Sequence, residues 1–297
     1  MATHLNNYAA INSGNPRLLA RALTLVENGL AGSEELLKSL EFNQNCPVIG
    51  ITGPPGAGKS TLVNALINEF LADGKKVAVL AIDPTSPFNF GSLLGDRIRM
   101  SQHFNHPDVF IRSVATRGSL GGISSKTIEM ADVLRAAGFD YVLIETVGVG
   151  QSEVEIAGLA DITIVVLVPE AGDEIQHIKS GLMEIADIFV INKADRPGAD
   201  AFANNLQKMM GDKGNGQPPV LKTIAEQNKG VHELVTSINE PVLTENNRRN
   251  LLMTEKAYRL IQQKMMKSID KKKLQQDIAE ALYSRNFNLY SFVDTYV

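Results

Sequence analysis

The sequence predicts an α/β fold built on a doubly wound, mainly parallel β-sheet, with helical extensions at both ends. Three observations predict it. Short apolar runs rich in β-branched residues recur from about residue 47, intervals of helix length separate them, and the runs lack the strict alternation of half-exposed strands. Such runs are typical of parallel strands that helices cover on both faces. With 297 residues, 44% of them apolar, the chain can fill a sizeable core.

The N-terminal part of the chain is predicted to be helical. Apolar residues from 18 to 26 recur at helical spacing, Gly29 and Gly32 are stop signals, and Ser33 is suited to cap a second helix. We therefore assign residues 1–45 to a helical N-terminal extension.

The strands of the sheet follow. Six runs predict them, in chain order VIGIT, VAVLAID, VFIRSVA, YVLIET, ITIVVLV and DIFVIN, and a shorter run, PVLK, comes near residue 220. Together they define a domain over residues 46–240. Beyond Pro241 the apolar residues return to helical spacing, interrupted by a solvated lysine run at 271–273. We assign residues 241–297 to a helical C-terminal extension.

Charge and cysteine content argue against several classes of protein. The 29 basic and 33 acidic residues leave a formal charge of -4, so no global positive charge indicates a nucleic acid or an anionic membrane as partner. Cys46 is the only cysteine, which excludes an internal disulfide and a multi-cysteine zinc site. No run approaches about 18 apolar residues, and residues 1–15 lack a secretory pattern. We expect a cytoplasmic protein.

A phosphate-binding loop is the strongest motif. Residues 53–60, GPPGAGKS, match the pattern GxxxxGK[ST] between a predicted strand and a predicted helix, which indicates the P-loop form of the α/β fold. Glycines let successive backbone N–H groups surround phosphate oxygens, and the helix N-terminus adds its positive dipole end. The residues predicted to bind the nucleotide here are Gly53, Pro54, Pro55, Gly56, Ala57, Gly58, Lys59, Ser60 and Thr61.

Acidic residues near strand ends extend this site towards a metal ion. Asp83 ends the second run, and Asp96 follows it on a predicted loop. Glu145 is the last residue but one of the fourth run, and Gly148 is placed to approach the γ-phosphate. Carboxylate and hydroxyl oxygens suit Mg²⁺, in direct contact or through water. The predicted metal set is Ser60, Asp83, Asp96 and Glu145, and the predicted catalytic set is Lys59, Asp83, Asp96 and Glu145.

The motif NKAD selects the nucleotide. Asn192, Lys193 and Asp195 follow the run DIFVIN and form the arrangement NKxD. The Asp195 carboxylate can accept from both N1–H and the 2-amino group of guanine, which adenine lacks, and the stem of Lys193 can cover the base. After PVLK, a backbone N–H of residues 223–225, assigned to Ala225, is predicted to reach the guanine carbonyl, although an ordinary turn explains that segment nearly as well.

With these motifs the chain resembles the MeaB/ArgK-type GTPases, bacterial relatives of the human methylmalonic aciduria type A protein. The likeness runs from about residue 15 to 234 and is carried by GPPGAGKST, DPTSPF, LLGDRIRM, FIRSVATRGSLGG, ETVGVGQSEVE, GDEIQHIKSG and NKAD. The resemblance implies a GTPase that serves as chaperone of an adenosylcobalamin-dependent acyl-CoA mutase, typically methylmalonyl-CoA mutase, and that gates cofactor loading and protects the mutase.

The resemblance also implies roles for particular residues. Asp83, Asp96 and Glu145 would surround Mg²⁺ and the γ-phosphate, and the C-terminal helices would form a homodimer. The chain departs from the family pattern at Glu170, where a glycine is usual, and at His177, where a small residue is usual. A switch loop that couples the nucleotide state to the mutase would contain Asp173, Glu174, Gln176 and Lys179.

We expect GTP hydrolysis to GDP and phosphate that rests on positioning and electrostatics, with slow intrinsic turnover and stimulation by the partner. Gln151 lies two residues beyond the position of the glutamine in the pattern DxxGQ, so the water-orienting residue stays open. Three alternatives remain. The first is a metal-insertion GTPase, for which only His103 and His106 offer nitrogen ligands at short spacing, and the second is a P-loop kinase linked to amino-acid transport. The third is an interaction module in which the N- and C-terminal helices are docking surfaces and hydrolysis acts as a timer.

Overall fold

The computed structural model describes residues 11, 15–41, 43, 45–83, 100–115, 125–146, 156–170, 181–210, 217–240, 246–266, 268–283 and 287–296. The chain divides into two compact units, residues 1–252 and 253–297. The first unit contains every described strand and the phosphate loop, and the second consists of helices.

Seven parallel strands form one sheet in the first unit. They are β1 (Val48–Thr52), β2 (Val77–Asp83), β3 (Val109–Ala115), β4 (Tyr141–Glu145), β5 (Ile162–Leu167), β6 (Ile188–Ile191) and β7 (Val220–Lys222), in the spatial order β3-β2-β4-β1-β5-β6-β7. Every described pairing between these strands is parallel. The predicted doubly wound α/β class is therefore confirmed.

Helices connect and flank the strands. Those of the first unit are α1 (Pro16–Glu27), α2 (Ser33–Lys38), α3 (Lys59–Ala72), α4 (Ser125–Arg135), α5 (Leu182–Ile185), α6 (Ala199–Met210) and α7 (Val231–Asn239). Short 3₁₀ helices occupy Ser101–His103, Ile156–Gly158 and Ala225–Gln227. The helix α8 (Asn246–Met266) crosses the division between the units, and α9 (Lys271–Ala281) and α10 (Leu289–Val293) lie in the second.

The two faces of the sheet carry separate apolar clusters because successive strand side chains point in opposite directions. On β1, Ile49 and Ile51 belong to the cluster that contains α3 and α7, whereas Val48 belongs to the cluster that contains α1, α2 and α4. Leu19 and Leu23 of α1 are 1% and 0% exposed. The N-terminal helices thus contribute to the core of the first unit, and α5 and α6 cover β5 and β6.

The strand order creates a switch point at β1. From β1 the chain passes to β2 and β3 on one side of the sheet, returns at β4, and continues through β5, β6 and β7 on the other side. In open parallel sheets of this type, ligands bind beyond the carboxyl ends of the strands at such a point. The loop that follows β1 lies there.

The second unit is built from short exposed helices. Asp270 caps α9, since its side chain accepts from the backbone N–H groups of Lys272 and Lys273. The lysine run at 271–273 forms the exposed first turn of that helix. Among the described residues of the whole chain, no helix is long and apolar enough to span a membrane.

Candidate nucleotide-binding site

Two glycines allow the loop between β1 and α3 to take its path. Gly53 has a φ of 137°, and a Cβ there would lie 2.0 Å from the carbonyl oxygen of Val166. Gly58 has a φ of 87°, and a Cβ there would lie 2.4 Å from Nδ2 of Asn192. Both positions combine a left-handed backbone with close neighbours, so only glycine fits without a shift.

Lys59 begins α3 and folds back over the loop. Its Nζ donates to the carbonyl oxygens of Gly53, at 2.7 Å, and Pro54, at 2.9 Å. The residue is 6% exposed. A charged ammonium is therefore held beside the phosphate loop, where backbone N–H groups and a helix N-terminus already favour an anion.

Ser60, the next residue of α3, contacts Glu145. The Ser60 hydroxyl donates to Oε1 of Glu145 over 2.6 Å, and the two residues are 4% and 5% exposed. The pairing follows from the strand order, because β4 lies next to β1 with Glu145 in register with Ile51. Two buried oxygens from residues far apart in the sequence are thus brought together at the carboxyl edge of the sheet.

A cavity of about 560 Å³ opens in front of these groups. It has the phosphate loop on one side and the end of β4 on the other, and we call it the phosphate cavity. Its lining residues are Pro55, Gly56, Gly58, Lys59, Ser60, Thr61, Glu145, Thr146, Lys193 and Glu226.

Asn192 joins the phosphate loop to the segment after β7. Its Nδ2 donates to the carbonyl of Ala57 at 3.0 Å, while its Oδ1 accepts from the Thr223 hydroxyl at 3.1 Å and the Ala225 N–H at 3.2 Å. Asn192 is 2% exposed. These contacts give Asn192 a positioning role, and the Ala225 N–H predicted to bind the guanine carbonyl already has an acceptor in this arrangement.

Lys193 lies over the loop and next to a second cavity. It adopts a φ of 56°, and its Nζ donates to the carbonyl of Gly56 at 2.8 Å. The second cavity, of about 80 Å³, contains Asp195, and we call it the base cavity. Its lining residues are Gly58, Thr61, Asn192, Lys193, Asp195, Arg196, Ile224, Ala225, Glu226 and Gln227.

The structure brings the predicted phosphate loop, Glu145 and the NKAD motif into one site. Sequence reasoning missed Arg196 and Glu226, which directly follow two predicted motifs. For Asp83 the structure describes the backbone at the end of β2 and not the side chain. The predicted residues that lie outside the described residues are Asp96, Gly148, Asp173, Glu174, Gln176 and Lys179, together with His177.

His103 and His106, the two histidines of the metal-insertion alternative, line neither cavity. His103 is 5% exposed, and burial, with a smaller effect of His106, lowers its pKa. Its Nε2 is 3.1 Å from Nε2 of Gln102. Within the described part of the chain, no three His, Cys, Asp or Glu residues form a group that could hold a metal ion.

The parallel sheet and the phosphate loop at its switch point define a protein of the P-loop class. The family model described as methylmalonyl Co-A mutase-associated GTPase MeaB matches residues 19–281. The chain belongs to this MeaB family, which confirms the resemblance inferred from the motifs.

Individual relatives support the same family assignment. A protein of Pyrococcus horikoshii that is named as a GTPase is 49% identical over 237 residues. The match covers 77% of this chain and 75% of that protein. GTPase ArgK of Escherichia coli is 39% identical over 245 residues, and the match covers 78% of this chain and 74% of ArgK. A crystal structure described as that of an LAO/AO transport system kinase is 29% identical, with a TM-score of 0.68, and the match covers 91% of this chain and 85% of that one.

Proposed function

We propose that this protein is a magnesium-dependent enzyme that hydrolyses GTP to GDP and phosphate. The observation that carries the proposal is the junction of the two cavities. The phosphate cavity contains Lys59 and Ser60, the base cavity contains Asp195, and they share four lining residues, Gly58, Thr61, Lys193 and Glu226. A guanine nucleotide has its phosphates and its base at opposite ends, so one molecule can occupy both.

The residues present fit a magnesium ion. Mg²⁺ takes oxygen ligands, and the Ser60 hydroxyl and the Glu145 carboxylate supply a close pair of oxygens at the edge of the phosphate cavity. We propose that Ser60 and Glu145 hold the ion together with Asp83 and Asp96. When bound, the ion would neutralise negative charge on the phosphate oxygens.

The protein's own contribution to hydrolysis is positioning and electrostatics. Lys59 supplies positive charge at the phosphates, the backbone N–H groups of the loop and helix α3 stabilise negative charge there, and Asp195 orients the base. In this proposal Lys59, Asp83, Asp96 and Glu145 form the catalytic set. The intrinsic rate is slow because the arrangement that orients the attacking water is completed by a partner.

The proposed partner is an adenosylcobalamin-dependent acyl-CoA mutase, with methylmalonyl-CoA mutase as the first candidate. The family description names a methylmalonyl-CoA mutase-associated GTPase, which supports this choice. We propose that the protein acts in the cytoplasm as a homodimer that gates cofactor loading and protects the mutase, with Asp173, Glu174, Gln176 and Lys179 coupling nucleotide state to the partner.

Turnover measurements test the proposal. Purified full-length protein with Mg²⁺ is expected to hydrolyse GTP in preference to ATP, and methylmalonyl-CoA mutase is expected to raise the rate. Co-purification of the two proteins should depend on a non-hydrolysable GTP analogue. The matched control is Asp195→Asn, which should lose GTP binding and hydrolysis while keeping the fold. Identical GTP turnover with and without the mutase would refute the partner, and absence of GTP binding would refute the enzyme.

A kinase is the second candidate, because the similar crystal structure is described as an LAO/AO transport system kinase. The carboxylate in the base cavity argues for guanine, since adenine would leave it without its hydrogen-bond donors. Competition between ATP and GTP for the wild-type protein distinguishes the candidates. Tighter binding of ATP, with transfer of its phosphate to an acceptor, would favour the kinase.

A further inference from the structure

Glu226 lies at the junction of the two cavities. It lines both the phosphate cavity and the base cavity, directly after the segment to which the base contact is assigned. In a nucleoside triphosphate the ribose connects the phosphates to the base. Residues shared by a phosphate cavity and a base cavity therefore surround the position of the sugar.

Of the four shared residues, Glu226 has the only carboxylate. Gly58 has no side chain, and the ammonium of Lys193 donates to the carbonyl of Gly56. Thr61 follows Ser60 in the first turn of α3. An ionised carboxylate has acceptor oxygens and no donor, so its natural partners at this position are the two hydroxyl groups of a ribose.

The backbone holds Glu226 in place. The Ala225 N–H donates to Asn192, and the Gln227 N–H donates to the carbonyl of Ile224 at 2.9 Å, so both neighbours of Glu226 are fixed. The segment closes where Ile224 and Lys229 exchange backbone hydrogen bonds of 3.0 and 3.3 Å. A residue on such a short, tied loop loses little further backbone freedom when it binds a ligand, so binding has to order only its exposed side chain.

We propose that Glu226 binds the ribose hydroxyl groups of the guanine nucleotide and makes the site selective for ribonucleotides. The inference rests on the proposed function, because it requires a guanine nucleotide across both cavities. An acidic side chain that accepts from a ribose hydroxyl also occurs in dinucleotide-binding folds, where it distinguishes the sugar by the same chemistry. In this proposal Asp195 recognises the base, and Glu226 recognises the sugar.

A comparison of two ligands on two proteins isolates this contact. The affinities of GTP and 2′,3′-dideoxy-GTP are measured with Mg²⁺ for the wild-type chain and for Glu226→Ala. The ligands carry the same phosphates and base, so repulsion between Glu226 and the phosphates cancels in their ratio. Wild-type protein should bind GTP about tenfold more tightly than the dideoxy ligand, as expected for a hydrogen bond to a charged group. In Glu226→Ala the ratio should fall to about one.

Two further variants complete the design. Glu226→Gln keeps the size of the side chain and one acceptor oxygen, so its ratio should lie between those of the wild type and Glu226→Ala. Glu233→Ala removes an exposed carboxylate from the first turn of α7, outside both cavities, and should keep the wild-type ratio. An unchanged ratio in Glu226→Ala would overturn the inference even if GTP binds. If wild-type protein binds neither ligand, the proposed function itself fails.

Discussion

The hydroxyl of Ser60 donates to Oε1 of Glu145 over 2.6 Å, from the first turn of α3 to the last residue of β4. The sequence motifs place both residues in one predicted metal set, but they do not predict this direct hydrogen bond. It arises because β4 inserts between β2 and β1, so that the end of β4 lies beside the helix that follows the phosphate loop. The same pair borders the phosphate cavity and supplies oxygen atoms of the kind that magnesium prefers.

Replacing Ser60 by alanine should weaken magnesium-dependent nucleotide binding. The change removes one of the two paired oxygens and leaves Lys59 and the loop backbone in place. We expect a loss of about 10- to 100-fold in magnesium affinity, the usual range when a group that ligates or orients a metal ligand is removed. GTP titrations with Mg²⁺ and with EDTA measure it. Ser39→Ala, at the exposed residue that directly follows α2, is the control. Equal losses with Mg²⁺ and with EDTA would contradict a metal role.

Asp195→Asn should change the preferred base. The carboxylate accepts from guanine N1–H and the 2-amino group, whereas an asparagine amide can donate to the C2 carbonyl of xanthine. Affinity for GTP should fall by about 10³-fold, because two hydrogen bonds to a charged carboxylate, about 1.5–3 kcal/mol each, are lost. Affinity for XTP should rise. Competition between the two nucleotides measures the change. Retained preference for GTP would show that Asp195 does not read the base.

Much of this site is predictable from local sequence. The phosphate loop and NKAD are contiguous motifs. The apolar runs predict the central strands because β1, β4 and β5 are buried on both faces. The contacts between motifs cannot be predicted in the same way. Their partners depend on the order of strands in space, which local patterns do not specify. The link from Asn192 to Ala57 and the position of Glu226 between two cavities became visible only with the fold.

Asn192→Ala should destabilise the protein as well as weaken nucleotide binding. The asparagine amide satisfies the carbonyl of Ala57, the hydroxyl of Thr223 and the N–H of Ala225 in a buried setting. Leaving such groups without partners costs about 1–3 kcal/mol each, with losses that are not additive, so we expect a fall of about 2–4 kcal/mol in the free energy of unfolding. Urea denaturation measures it, with Asn205→Ala on the exposed side of α6 as control. Equal effects of the two changes would refute the positioning role.

Gly53→Ala and Gly74→Ala separate backbone strain from steric conflict. Both glycines have positive φ, 137° and 68°, but an added Cβ meets the Val166 carbonyl at 2.0 Å in the first and nothing within 4 Å in the second. Gly74→Ala should cost about 1 kcal/mol from the left-handed backbone alone. Gly53→Ala should cost about 3 kcal/mol or more, because the loop or β5 must move. Thermal unfolding compares them, and similar midpoints would show that the loop accommodates the methyl group freely.

The single thiol, Cys46, should report unfolding. Cys46 is 0% exposed, and burial, only partly offset by the nearby Arg135, raises its pKa to about 11. Since the thiolate is the reactive form, a disulfide reagent at pH 8 should leave the folded protein unmodified. In guanidinium chloride it should modify one thiol per chain, because the sequence has one cysteine. Rapid modification of the folded protein would contradict this burial.

The same pKa predicts how stability changes with pH. The unfolded thiol loses its proton near its ordinary pKa of 9.0, while the folded thiol keeps it up to about pH 11. Between these values the folded state binds more protons, so this contribution is fully present below pH 9 and is lost as the pH rises towards 11. Cys46→Ala removes the group, and its unfolding free energy should therefore fall less steeply than that of the wild type across this window. Parallel slopes in urea titrations between pH 8 and 11 would contradict the assignment.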